Sequence, residues 1–271
     1  MKNVLITGGA GGLGLATAEY LAQRGWHVFA ADYNKDALSK ISHQRITPIY
    51  VDISSDTSVA QAVDEVKHLT DSLDGVVNFA GILAMGSVIE NDTEMMRRIL
   101  DINLLGMYRI NRAFFDMIRM DKGRIINVSS EYGVLGAVPF HGFYTVSKHA
   151  VEVYSDALRR ELMFLGIPVI KIRPGAFRSN MQGSTEIMFN KLLVTTSLYK
   201  SILSKMHTMM ESKTAIAKDP VILAHKVYKA LVSEHPRLVY SANHNISQKL
   251  ISHLPARVQD LIYKLVFNII R

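Results

Sequence analysis

Short apolar runs recur along the chain, each ending in a turn and each followed by a stretch whose apolar positions lie three and four apart. That alternation predicts strand and helix in turn. Val4-Leu5-Ile6 and residues 26–31, 47–51, 75–78, 124–128, 168–173 and 237–240 read as strands, about seven in all. Helical periodicity falls on 15–22, on a segment from Asn34, and on 56–69, 94–120, 144–165 and 219–232. Strands joined through helices at this spacing predict an α/β fold, a doubly wound parallel sheet with helices on both faces. No linker, repeat or low-complexity run divides the chain, so residues 1–271 read as one domain.

Two apolar segments follow the sixth strand. Residues 182–212 and their flank carry Met181, Met188, Phe189, Leu192, Leu193, Leu198, Tyr199, Ile202, Leu203, Met206, Met209 and Met210. Met and Leu at helical spacing either pack among themselves or form an adaptable wall for a bulky apolar ligand. The end of the chain, 242–271, reads as a helical extension. From Val258, Leu261, Ile262, Leu265, Val266 and Ile269 fall on one stripe, with Lys264 and Arg271 off it. Such a helix packs on the lid, docks on a second subunit or lies in a membrane interface.

Charge and composition narrow the picture. With 31 basic and 24 acidic side chains the net charge is +7, but it is scattered and no basic-aromatic groove appears, so nucleic acid is not expected. Cys is absent, which excludes disulfides and thiolate chemistry and fits a reducing, cytoplasmic setting. The N-terminal apolar run is too short for a signal peptide, and no stretch is long enough to span a bilayer. A peripheral membrane contact is left open for the C-terminal helix alone. No metal site is assigned.

The chemistry starts at the first turn. Thr7-Gly8-Gly9-Ala10-Gly11-Gly12-Leu13-Gly14 lies between a strand and a helix, where backbone N–H groups meet a pyrophosphate at the positive helix end. Glycine is expected because a side chain would stand where phosphates approach. Asp32 closes the second strand, eighteen residues after Gly14. A carboxylate there accepts from ribose hydroxyls and repels a 2′-phosphate, which favours NAD over NADP. The competing account makes Asp32 a cap for the segment from Asn34, with Lys35 softening the repulsion. Asp52 and Ile53 end the third strand, where a carboxylate and a backbone N–H suit an adenine edge; helix capping explains the polar residues there equally well. Asn78, Ala80 and Gly81 mark the end of the fourth strand, at the sheet edge where ligands lie. Further on, Tyr144 and Lys148 stand four apart on a helix, so that an ammonium beside a phenol favours the phenolate.

With these motifs the chain resembles the short-chain dehydrogenase/reductase family over roughly residues 3–181. Thr7, Gly8, Gly12 and Gly14 match its T-G-x-x-x-G-x-G, and Asn78-Phe79-Ala80-Gly81 its N-N-A-G, with Phe79 in place of the second Asn. The resemblance implies a Rossmann-like fold and a catalytic set of Asn103, Ser130, Tyr144 and Lys148, with Ser129 as the alternative serine. The spacing of fourteen from Ser130 to Tyr144 is one more than is common in the family, and the extra residue falls in the loop 131–143. The resemblance gives Ser130 the substrate oxygen, Tyr144 the proton, Lys148 the nicotinamide ribose as well as the phenol, and Asn103 a water in the proton relay. It also implies cofactor contacts from Tyr144, Lys148, Pro174, Gly175, Phe177 and Ser179, and from Leu13 in the first turn. A homodimer or homotetramer through helices 94–120 and 144–165 is a further implication.

The expected activity is hydride transfer between NAD(H) and an alcohol or carbonyl, on a lipophilic steroid-, retinoid- or long-chain-like substrate. The alternatives are an NADPH-dependent ketoreductase on a small or acyl-chain carbonyl, and a dinucleotide sensor without turnover.

Overall fold

The computed structural model describes residues 1–178, 181–211 and 217–266, with backbone alone for 181–184 and 207–211. Ser179, Ile269, Arg271 and the side chains of Met181, Met209 and Met210 lie outside the described set.

Val4, Leu5 and Ile6 in β1 (Asn3–Thr7) have no solvent exposure, because the strand is covered on both faces. The chain continues through α1 (Gly12–Ala22), β2 (His27–Asp32), α2 (Lys35–Leu38), β3 (Ile46–Tyr50), α3 (Asp56–Lys67) and β4 (Gly75–Asn78). All seven strands pair in parallel in the order β3-β2-β1-β4-β5-β6-β7, completed by β5 (Arg124–Val128), β6 (Val169–Pro174) and β7 (Val239–Ala242). One face packs on α1 and α10 (Val221–Val232), through Ala18, Leu21, Leu223 and Val227. The other packs on α3 and the helices after β4, through Val59, Val63, Ile110 and Phe114. The winding reverses between β1 and β4, so connections leave their C-terminal ends in opposite directions and a crevice opens there.

The helix expected over 94–120 is broken. It runs as α4 (Thr93–Leu100), a π-helical turn (Asp101–Gly106), α5 (Met107–Ala113) and α6 (Phe115–Met120). The π turn coincides with Asn103, whose side chain is drawn out of the helix by partners elsewhere, and with Gly106, where a Cβ would come within 2.6 Å of Ile53 Cδ1. The last strand is shifted from the expected 237–240. Arg237 N donates to the Tyr240 hydroxyl in a turn, and the ladder with β6 starts only at Val239.

Beyond β5 comes α7 (Gly142–Leu162), which carries Tyr144 and Lys148. The lid is a helical hairpin, α8 (Met181–Thr195) and α9 (Lys200–Glu211). Its loop is held by Glu90, whose carboxylate accepts from Thr196 Oγ1, Ser197 N, Ser197 Oγ and Leu198 N. The extension folds as α11 (Ile246–Ser252) and α12 (Ala256–Val266). The stripe of α12 is largely uncovered, with Val258, Leu261, Leu265 and Val266 all exposed, while Tyr263 packs against the lid. Among the described residues no helix is long and apolar enough to cross a membrane, and no group of His, Cys, Asp or Glu is arranged to hold a metal ion.

Candidate active site

The crevice is a cleft of about 1050 Å³ running from Asp32 and the glycine turn to Ser130, Tyr144 and Lys148. At the turn the glycines have different reasons. Gly8 has φ +68, and a Cβ there would stand 2.9 Å from Ala80 N. At Gly14 a Cβ would overlap the Gly8 carbonyl oxygen, so this glycine serves the contact of helix with turn rather than room for a ligand. Gly11 behaves as expected for a phosphate position: its Cβ would meet nothing within 4 Å, on the cleft wall.

Asp32 lines the cleft with its carboxylate fixed from behind. Oδ2 accepts from Ala10 N at 3.2 Å and Oδ1 from Asn34 N at 3.0 Å. It is not the cap of α2; Asn34 is, accepting from Ala37 N. Lys35 Nζ lies 4.5 Å from the centre of the Tyr50 ring, and Lys35 is not among the residues that line the cleft. Asp52 and Ile53 line the cleft beside Asp32, although Asp52 Oδ1 is already engaged by the N–H and hydroxyl of Ser54. The capping of α3 falls to Ser55, which accepts from Ser58 N.

Thr7 and Asn78 are near the cleft but not on its wall. Thr7 Oγ1 accepts from Ala80 N at 3.2 Å, tying β1 to the end of β4. Asn78 Nδ2 donates to Asn111 Oδ1 at 2.7 Å and to Asn127 Oδ1 at 3.0 Å, a buried amide network that locks β4, β5 and α5. Leu13, Gly12, Ala80, Gly81, Pro174, Gly175 and Phe177 do line the cleft.

At the other end, β5 delivers Ser129 and Ser130. Ser130 bonds the Tyr144 side chain and accepts from Tyr132 N, whereas the Ser129 hydroxyl faces the backbone of α7 at Lys148 O. The Tyr144 phenol is pushed up to about 12: burial raises it most, the bond with Ser130 lowers it, and the Glu131 carboxylate raises it. Burial brings Lys148 down to about 8 against the pull of Glu152. Lys148 Nζ donates to Val128 O at 3.1 Å and stands 5.7 Å from the centre of the Tyr144 ring. Desolvation is thus the largest influence on Tyr144 in this structure. Asn103 is fully buried behind the wall. Its Oδ1 accepts from Ile82 N at 2.7 Å, and its Nδ2 donates to Ile82 O and to Ser147 Oγ.

The family model for short chain dehydrogenases matches residues 2–188. The chain belongs to that family. Over 89% of its length it is 32% identical to retinol dehydrogenase 7 of Mus musculus, covering 80% of that protein. It is also 32% identical to the 17-beta-hydroxysteroid dehydrogenase type 6 of Homo sapiens, over 96% of the chain and 87% of the human protein. The structure of a short chain dehydrogenase from Burkholderia cenocepacia in complex with NADP superposes with a TM-score of 0.73 at 24% identity, covering 98% of this chain and 99% of that one. This is a short-chain dehydrogenase with a dinucleotide-binding fold and an oxidoreductase by descent.

The cleft of this short-chain dehydrogenase also holds residues the motifs did not reach. Ile82, Leu83, Glu131, Tyr132, His141 and Met188 stand around Ser130 and Tyr144 on the wall. Tyr132 stacks on His141 at 5.4 Å and meets the Tyr144 ring edge-on at 5.8 Å. Glu131 directly follows Ser130, and that adjacency was the one signal in the sequence that could have found it. Of the lid side chains described, Thr185 and Met188 reach the cleft, while Phe189, Leu192, Leu203 and Met206 pack into a cluster with Met85, Phe140 and Tyr263. Most of the apolar pattern of the lid is thus packing.

Proposed function

We propose that the chain is an NAD(H)-dependent dehydrogenase that interconverts a primary or secondary alcohol and its carbonyl on a lipophilic, steroid-, retinoid- or long-chain-like substrate. The observation that carries this is one cleft with a fixed carboxylate, Asp32, at one end and Tyr144, Ser130 and Lys148 at the other. The cofactor fits: open space stands over Gly11, and Asp32 offers its charge where a ribose would be recognised and a 2′-phosphate opposed. The NADP of the Burkholderia protein is that protein's own ligand; at 24% identity the likeness carries the fold and no preference between cofactors. The relatives' names, a retinol and a hydroxysteroid dehydrogenase, favour a lipophilic substrate, as do Ile82, Leu83, Tyr132 and Met188 on the wall.

The bound nicotinamide supplies or accepts the hydride. The chain's residues handle the proton and the orientation. Ser130 donates to the substrate oxygen and Tyr144 gives or takes its proton. Lys148, charged below about pH 8, holds the ribose side of the site and lowers the cost of the phenolate. Asn103 has both ends of its side-chain amide engaged, so its contribution to the relay is to hold the π turn against the backbone of Ile82. Thr7 and Asn78 act from behind the wall by fixing the loop that follows β4. Residues 1–271 serve as one domain, with 182–212 as the lid. The assembly is a homodimer or homotetramer through α4 to α7. The uncovered stripe of α12 faces either a second copy or an anionic membrane surface.

NADH and NADPH oxidation measured side by side against steroid, retinoid, long-chain and small polar carbonyls tests the reading. Lipophilic turnover with NADH is expected. Turnover with NADPH alone would refute the cofactor assignment, and turnover of small polar compounds alone would refute the substrate class.

A further inference from the structure

Glu131 is an unusual neighbour for a site that must form a phenolate. Its residue is 7% exposed, it lies on the cleft wall beside Ser130 and Tyr144, and its charge makes ionisation of Tyr144 harder. A buried carboxylate is stable only if its oxygens find donors. One does: Oε2 accepts from Asn245 N at 2.7 Å, at the start of α11. The helix also reaches the same loop through Gln248, which bonds the Tyr132 side chain. Glu131 is thereby anchored by the C-terminal extension, with its carboxylate held at the cleft wall. Oε1 has no hydrogen-bond partner among the described residues, and it is not one of the fully enclosed atoms.

A second acceptor stands close by. His141, on the same wall, has Nδ1 3.3 Å from Pro139 O, which places the ring proton on Nδ1 and leaves Nε2 as an acceptor. Burial lowers the affinity of this imidazole for a second proton, so the ring stays neutral. Tyr132, stacked on it, has its hydroxyl engaged by Gln248. Two residues of this wall thus carry an acceptor, Glu131 Oε1 and His141 Nε2, that finds no donor among the described residues.

We propose that Glu131, supported by His141, recognises a hydrogen-bond donor on the substrate itself, a second hydroxyl borne near the reacting carbon. The inference rests on the dehydrogenase reading above and narrows its substrate to lipophilic diols and hydroxy-carbonyls. The physical reason is the asymmetry of buried hydrogen bonds. A site built to bond a hydroxyl discriminates strongly against the analogue lacking it, because the site's own polar group is then left unpaired.

The test compares matched pairs of carbonyl substrates, each a lipophilic ketone and its α-hydroxy counterpart, in the wild type, Glu131→Gln and Glu131→Leu, with folding checked by thermal melting. The wild type should favour the hydroxylated member by about 10- to 100-fold in kcat/KM, the cost of one buried acceptor left unpaired. Glu131→Gln, which keeps an acceptor and the bond to Asn245, should retain part of that ratio. Glu131→Leu should bring it to about one. The ratio is read within each enzyme, so a general loss of activity in a variant does not disturb it. Equal turnover of both members by the wild type, or an unchanged ratio in Glu131→Leu, overturns the role of Glu131 and leaves the dehydrogenase reading standing. Turnover of neither member with either cofactor overturns the dehydrogenase reading and this inference together.

Discussion

Lys148 carries a cost that its position makes unavoidable. Burial holds its pKa at about 8, against 10.5 for a free lysine. Between those values the unfolded chain binds more protons than the folded one, so this residue's contribution makes stability rise with pH from about 8 to 10.5. Above that window the penalty is gone; below it the full penalty remains. Lys148→Met should therefore abolish activity yet raise stability most at and below neutral pH, by about 1–3 kcal/mol once the bond lost at Val128 O is counted. Urea melts of both proteins across pH 7 to about 10.5 would check this, and a variant less stable than wild type at pH 7 would contradict it. Asp32→Asn keeps an acceptor for Ala10 N while removing the charge. It should raise the ratio of NADPH to NADH specificity by about tenfold or more, since the repulsion of a 2′-phosphate is electrostatic.

The elements were legible wherever local pattern and global fold agree. β1, β4 and β5 fall on the expected residues because buried parallel strands read as continuous apolar runs. The break after Leu100 was not legible. Its cause is the capture of Asn103 by Ile82 and Ser147, partners 21 and 44 residues away in sequence. The buried network of Asn78 was not legible for the same reason, since its partners Asn111 and Asn127 come from other elements. Asn127 also donates to Ser155 Oγ and accepts from Asn111 Nδ2, so Asn127→Ala strands several buried groups at once. A loss of about 2–4 kcal/mol in chemical denaturation is expected, and less than about 1 would show the network to be dispensable. The lid hairpin depends on Glu90, whose carboxyl is brought down to about 2 by its bonds to residues 196–198 against the opposing effect of desolvation. Its hold is complete above the usual carboxylate range and is lost as pH falls toward 2. Glu90→Ala should speed amide exchange across residues 192–200 at neutral pH without altering that of β1.

For the molecule as a whole, the net charge of +7 and the uncovered stripe of α12 act together. Light scattering should return a dimer or tetramer. Deleting residues 256–271 separates the two occupants of the stripe: loss of pelleting with anionic liposomes assigns it to a bilayer, and loss of a subunit contact assigns it to a second copy. The sequence motifs led to both ends of the cleft because each sits where a strand ends. They did not reach Glu131, Tyr132 and His141, which meet only when the loop after β5 is pinned by an extension more than a hundred residues later.

The central claim is that Tyr144 supplies the proton in a site that otherwise only binds and orients. Tyr144→Phe removes one oxygen from a buried ring and little else. Titration of the variant with NADH, followed by fluorescence, should give an affinity within a few fold of wild type, while turnover of a substrate accepted by the wild type should fall by about 10²-fold or more. Retained turnover in a variant that binds NADH normally would contradict the account.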